Sequence, residues 1–325
     1  MWRYRELLPV AGDPVSLGEG PTPLLSAPRL SERLGVEVYV KDDGPLPSGT
    51  FKARGAAAGL SRAVELGADS IVMPSAGNAG AAWSLYAARA GVRMTVTMAR
   101  SAPEENKAEV RFAGAELVEV EGTLADAAAR AREIARDTGA FLASTFAEPY
   151  RVEGKKSAWL ECFDQLDGLP GTVVTPVGGG VAAVACAKAA EETAALGWFT
   201  GAPAVVGVQP EGCAPIVRAF ESGSDSADPW DAEPATIAAG LRVPAPPEPA
   251  LVLDVVRDSR GTMVAVSDEE IAAAVRDLAS TEGILACPEG AAALAALAHT
   301  GPLRGPVVLY NTGAAGKYLD AMVNR

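Results

Sequence analysis

Four short stretches carry groups that could do chemistry together. Lys52 lies in PSGTFKARGA (47–56), after a Pro-Ser-Gly-Thr turn and before a run of small residues. A lysine is a poor nucleophile until it is desolvated or set beside other positive dipoles. A helix start supplies such a dipole and favours the free amine. PSAGNAGAA (74–82) offers small residues for close backbone approach, amides that could bind a carboxylate, and the Asn78 side-chain amide. TPVGGGVAA (175–183) has three successive glycines, which bare the peptide N–H groups around a phosphate. It is neither GxGxxG nor GxxxxGK[ST], so a single phosphate suits it better than a dinucleotide or ATP. YNTGAAGKY (310–318) contributes the Thr312 hydroxyl, able to donate or accept one hydrogen bond. Each stretch also has a plainer reading: a solvated lysine, a turn capped by Asn78, a tight glycine turn, an N-cap threonine.

The elements around these stretches alternate. Strand patterns at 36–40, 70–75, 93–99, 115–122, 141–144, 171–177, 204–210 and 306–313 are interleaved with helical patterns at 51–66, 79–90, 103–113, 123–137, 152–167 and 181–196. A short helix is expected after the last strand. Ser267 and Glu270 match a capping box ahead of Ile271, Val275 and Leu278. Such alternation predicts an α/β fold with mainly parallel sheets covered by helices on both faces. All three glycine- or threonine-bearing stretches follow strands, where open α/β sheets bind ligands. The segment 222–250, rich in Pro, Ser and Asp, reads as a long surface loop.

Composition narrows the chemistry. The chain has 325 residues, 49% hydrophobic, with a net charge of −13. That charge argues against nucleic acid as a partner. No apolar run approaches the length of a membrane span, and Met-Trp-Arg-Tyr-Arg-Glu at the start has no apolar signal core, so a cytoplasmic protein is expected. Cys162, Cys186, Cys213 and Cys287 are scattered without a CxxC pair; buried free thiols are expected, and no metal. With His299 the single histidine, at the expected end of a helix, neither a histidine triad nor a multi-histidine metal site is available. Proton transfer must run through lysine, carboxylates, hydroxyls or a cofactor.

Taken together, the order and spacing of these stretches resemble the fold type II family of pyridoxal-phosphate enzymes, and within it the threonine synthases. GPTPLL (20–25), LPSGTFKARGA (46–56), PSAGNAGAA, EPYRVEGKK (148–156), VGVQPEGCAPI (206–216), TIAAGLRV (236–243), EGILACPEGAAALAAL (282–297) and NTGAAGKY carry the likeness across the chain. The resemblance implies two open, twisted, mainly parallel sheets with the cofactor in a cleft between a larger domain (1–60 plus 150–325) and a smaller one (61–149). It implies that Lys52 forms the Schiff base with pyridoxal 5′-phosphate and that Asn78 bonds the ring hydroxyl. Gly178, Gly179, Gly180 and the Val181 amide would cradle the phosphate, and Thr312 would face the pyridine nitrogen. Ser75, Ala76 and Gly77 would hold the substrate carboxylate, with Thr50 a further substrate-binding residue and Arg151 binding the substrate phosphate. A homodimer follows from the same resemblance.

A neutral hydroxyl at the ring nitrogen makes a weaker electron sink than a carboxylate would, which suits elimination and replacement. The implied reaction converts O-phosphohomoserine and water to threonine and phosphate by γ-elimination and β-hydration. Lys52 would serve as the base over Cα. Arg151, with Lys155 or Lys156 nearby, would meet the leaving phosphate. Four positions depart from the family pattern: Ala53 stands where an acidic residue is common, Thr145 and Phe146 where an Asn-Ser pair is common, and Ala314 where a histidine is common. They leave a second enzyme reading, a β-elimination or β-replacement enzyme acting on an activated serine or threonine, in a specialised pathway. A third reading is a non-catalytic amino-acid sensor on the same scaffold.

Overall fold

The computed structural model describes residues 1–75 and 77–319. Its strands are β1 (Leu24–Ser26), β2 (Val38–Asp42), β3 (Ser70–Pro74), β4 (Arg93–Ala99), β5 (Glu116–Val120), β6 (Phe141–Leu142), β7 (Thr172–Pro176), β8 (Ala204–Pro210), β9 (Thr262–Val266) and β10 (Val307–Asn311). Its α-helices are α1 (Pro28–Leu34), α2 (Lys52–Glu65), α3 (Asn78–Ala90), α4 (Glu104–Phe112), α5 (Leu124–Thr138), α6 (Tyr150–Leu166), α7 (Val181–Ala195), α8 (Pro215–Glu221), α9 (Pro249–Asp258), α10 (Asp268–Asp277) and α11 (Pro288–Ala295).

The chain forms two compact units. The first comprises Met1–Gly20 and Leu46–Lys155; the second comprises Pro21–Pro45 and the chain from Lys156 onward. Residues 46–60, grouped by the sequence with the larger domain, thus share a unit with the Asn78 loop, and so does the start of α6. The packing that ties them together is a helix crossing. A Cβ on Gly154 would stand 2.1 Å from the Arg54 carbonyl oxygen, and one on Gly55 would stand 3.0 Å from that of Arg151. Only glycine lets α2 and the start of α6 approach so closely.

The first unit holds a four-stranded parallel sheet, ordered β5-β4-β3-β6. Its core includes Leu60, Ile71, Trp83, Tyr86 and Met98. The second unit holds a six-stranded sheet, ordered β1-β2-β10-β7-β8-β9, in which β1 alone runs antiparallel to its neighbour. Every residue of β7, β8 and β10 is buried. Helices covering both faces of a parallel sheet require this, and it explains why these strands read as apolar runs without alternation.

Strands β4 and β8 fall on the expected residues. The capping box forms: Ser267 Oγ accepts from the Glu270 N–H at 3.2 Å, and Glu270 Oε2 accepts from the Ser267 N–H at 2.7 Å. All four cysteines are buried and free. His299 ends a 3-10 turn, with Nε2 2.6 Å from Glu270 Oε1. The short helix expected after the last strand is a 3-10 turn, Ala315–Lys317; residues 320–325 lie outside the described ones. No helix among the described residues is long and apolar enough to cross a membrane.

Candidate active site

In the first unit the candidate groups gather around the starts of two helices. Lys52 is the first residue of α2, and the turn before it is shaped by Gly49 at φ 67°, whose N–H donates to the Leu46 carbonyl at 2.6 Å. Thr50 is buried, and its carbonyl accepts from Ser48 Oγ at 3.1 Å. No side chain caps the residue before α2 or α3; the Ala53 and Arg54 N–H groups turn back to the Thr50 and Phe51 carbonyls, and the Gly80 N–H to that of Gly77. The α3 entry is built by Ser75, whose Oγ accepts from the N–H groups of Gly77 (3.1 Å) and Gly80 (2.9 Å). Gly77 precedes Asn78, and a Cβ there would stand 2.6 Å from Asn106 Nδ2. Ala76 lies outside the described residues.

Arg151 and Lys155, one turn apart on α6, are both about 95% buried (4% and 5% exposed). The Arg151 Nε donates to Glu148, its Nη1 donates to Thr145 Oγ1 at 3.1 Å, and its guanidinium lies 5.5 Å from the Trp83 ring centroid. Its Nη2 is buried and makes no hydrogen bond among the described residues. Such an atom calls for an anionic partner. The Lys155 ammonium lies 5.3 Å from the Phe51 ring centroid, and the Lys52 ammonium lies 4.5 Å from the same centroid. Burial pushes the Lys155 amine well below its ordinary pKa; the neighbouring Lys52 and Arg151 charges push the same way, and Glu148 opposes them. Lys156 is committed elsewhere, 2.6 Å from Glu192.

The departures sort themselves by position. Ala53 is wholly buried in the apolar core of the first unit, so a small residue there is a packing requirement. Phe146 adopts φ 60°, a conformation that aromatic residues rarely take, in the loop that carries Thr145 and Glu148 to Arg151.

In the second unit, β7 leads through Gly178-Gly179-Gly180 into α7. Gly180, at φ 78°, is the residue before the helix, and a Cβ there would stand 2.1 Å from Val252 Cγ2. A Cβ on Gly178 would stand 3.0 Å from the Gly240 carbonyl oxygen. The helix has no side-chain cap at Val181, so bare amides and a positive helix end coincide. These residues fit a phosphate group.

Thr312 follows β10 and is buried. Its Oγ1 lies 3.7 Å from Cys287 Sγ, and Sγ also accepts from the Gly290 N–H at 3.3 Å at the start of α11. Asn311 Oδ1 accepts from the Cys287 N–H at 3.2 Å. Glu289, buried, accepts from the Gly240 N–H at 2.7 Å, and its Oε2 has no hydrogen-bond partner among the described residues. Burial raises its pKa. Sequence reasoning passed over Cys287 and Glu289. Pro288 at the first helical position was the available signal that a cap precedes it.

An open parallel α/β fold with a lysine opening one helix and a triple-glycine turn opening another defines a class of cofactor-dependent enzymes. The chain belongs to the pyridoxal-phosphate-dependent enzyme family, whose model matches residues 15–313. Its fold is type II and its cofactor is pyridoxal 5′-phosphate, with a small amino acid as substrate. The threonine synthase of Methanosarcina acetivorans is 38% identical over 300 residues, covering 91% of this chain and 74% of its own length. That of Mycobacterium leprae is 34% identical, covering 90% and 80%. Among solved structures, a threonine deaminase from T.th. superposes with a TM-score of 0.76 at 30% identity, covering 90% of this chain and 92% of its own.

Proposed function

We propose that this enzyme converts O-phosphohomoserine and water to threonine and phosphate. The observation that carries the reading is Arg151: buried, half-satisfied by Glu148 and Thr145, with Nη2 left without a partner among the described residues. A substrate that brings its own phosphate would complete it. The likeness to threonine synthases over nine-tenths of the chain supports the same substrate.

The bound cofactor supplies the electron sink that makes the substrate's Cα–H acidic. Lys52 would hold it and then move the proton at Cα. Asn78 would bond its ring hydroxyl, Thr312 its pyridine nitrogen, and Gly178, Gly179, Gly180 and the Val181 amide its phosphate. Ser75 and Gly77, with Ala76, would hold the substrate carboxylate, and Thr50 would border it. Arg151 would hold the phosphate as it leaves Cγ, before water adds at Cβ. A cytoplasmic homodimer is the accompanying expectation, checked by sedimentation.

Phe146 favours a second reading, because it puts an aromatic ring where the family pattern has a polar pair. A β-eliminating or β-replacing enzyme on an activated serine or on threonine would not need that pair, and the threonine deaminase likeness is consistent with it. Steady-state assay of the holoenzyme separates the two. Phosphate released from O-phosphohomoserine in step with threonine supports the first; turnover of threonine or O-acetylserine without phosphate release replaces it with the second.

A further inference from the structure

We propose that Cys287 is a positioning residue for the cofactor ring: its sulfur accepts the Thr312 hydroxyl hydrogen, so Thr312 offers the pyridine nitrogen an accepting oxygen and favours that nitrogen in its protonated form. The proposal rests on the reading that Thr312 meets the pyridine nitrogen. It deepens that reading by fixing which of the two carries the proton between them, and by giving a role to a residue the reading leaves out.

The second unit brings the two side chains together. The stretch before α11 and the stretch after β10 lie side by side, joined by an antiparallel bridge between Ala286 and Ala314. Gly290 lets the start of α11 sit against Asn311, since a Cβ there would stand 2.1 Å from Asn311 Oδ1. Cys287 is the residue before α11, and its sulfur accepts from the Gly290 N–H at 3.3 Å. Serine, threonine, aspartate and asparagine are the favoured residues at such a position, and a thiol is a weak acceptor. Capping alone therefore does not account for this cysteine.

Counting hydrogens fixes the direction of each bond. Asn311 Nδ2 donates to Asp42 Oδ1 at 2.8 Å, and a carboxylate only accepts. The other end of the amide, Oδ1, thus faces Cys287. It accepts there from the backbone N–H at 3.2 Å and from the thiol, with Sγ 3.3 Å away. Burial raises the Cys287 pKa, so the thiol keeps its one hydrogen. Glu289 faces the same sulfur, and as a carboxylate it also draws that hydrogen away from Thr312. Toward Thr312 Oγ1, 3.7 Å off, the sulfur has only lone pairs to offer, and the hydroxyl donates. Thr312 then presents lone pairs to any other group that meets Oγ1. A ring nitrogen at that oxygen is favoured when it carries a proton and disfavoured when bare. A protonated ring is also the stronger electron sink.

The test is the nitrogen chemical shift of the bound cofactor, read by NMR on holoenzyme reconstituted with isotope-labelled pyridoxal phosphate at neutral pH. Wild type should show a protonated ring. C287A frees the Thr312 hydroxyl to donate, and the signal should move to the range of a bare pyridine nitrogen. C287S restores one hydrogen and a pair of acceptor sites, and should return the signal to the protonated range. T312V checks the underlying reading, because loss of the hydroxyl should also move the signal. Melting temperature and the visible absorption of the lysine-held cofactor report folding and loading in each variant. A bare nitrogen in wild type overturns the proposal without recourse to any variant. A signal that responds to T312V but not to C287A removes Cys287 from the role and leaves Thr312 at the ring. A signal that responds to neither removes Thr312 from the ring nitrogen, and the proposal falls with it.

Discussion

Lys52 and Lys155 share one aromatic ring: their ammonium nitrogens lie 4.5 and 5.3 Å from the centroid of Phe51. Two amines brought so close resist carrying charge together, and Lys155, buried and beside Arg151, is the one pushed well below its ordinary pKa. Its proximity to Lys52 rests on the α2–α6 crossing.

That displacement makes Lys155 a liability to the empty protein. Its folded pKa lies below its unfolded value, so protonation favours the unfolded chain. The cost is absent above the unfolded value of about 10.4, grows as pH falls below it, and is complete below the folded pKa. K155M should therefore melt higher than wild type at neutral pH, with the gain shrinking as pH rises. Thermal melts of cofactor-free protein across pH read the difference.

Gly154→Ala should be severe. Its methyl group would stand 2.1 Å from the Arg54 carbonyl oxygen, a backbone atom that cannot swing aside. Separating α2 from α6 should cost about 1–3 kcal/mol. Cofactor retention, followed by its visible absorption, should fall together with the melting temperature, because Lys52 and Lys155 ride on the two helices.

Glu289 should tolerate loss of charge but not loss of shape. Its carboxyl accepts from the Gly240 N–H, and the Gly240 carbonyl lies against Gly178 of the glycine turn. E289A would strand that N–H, costing about 1–3 kcal/mol, and should weaken cofactor binding. E289Q keeps an acceptor. Because burial raises the Glu289 pKa, ionisation opposes folding only above its unfolded value of about 4.3. E289Q should match wild type at low pH and exceed it at pH 8 in denaturant titrations.

The second unit hides a charge pair, Lys41 Nζ to Glu161 Oε2 at 3.1 Å, with both side chains essentially inaccessible. Thr22 and Gln165 also accept from that ammonium, at 2.8 and 3.0 Å. Glu161→Ala leaves a buried cation without its carboxylate and should cost about 3–5 kcal/mol by chemical denaturation.

The strand-helix alternation, the cofactor class and the four chemically suggestive stretches were all legible in the sequence. Parallel strands buried on both faces are apolar runs, and glycine turns stand out because no other residue replaces them. β9 escaped notice because TMVAV is short and follows the long Pro-rich loop without a period of its own. Whether Lys155 or Lys156 serves the site could not be read from adjacent positions. Successive helical residues point about 100° apart, and only the packed helix shows that one meets Phe51 and the other Glu192. Ala53 shows the same limit, since a missing acid near the reactive lysine reads as lost polarity until the fold places it in the core. Sequence determined which groups this protein owns. Tertiary structure decided which of them are left buried with a charge to balance, because desolvation and pairing depend on neighbours far away in the chain.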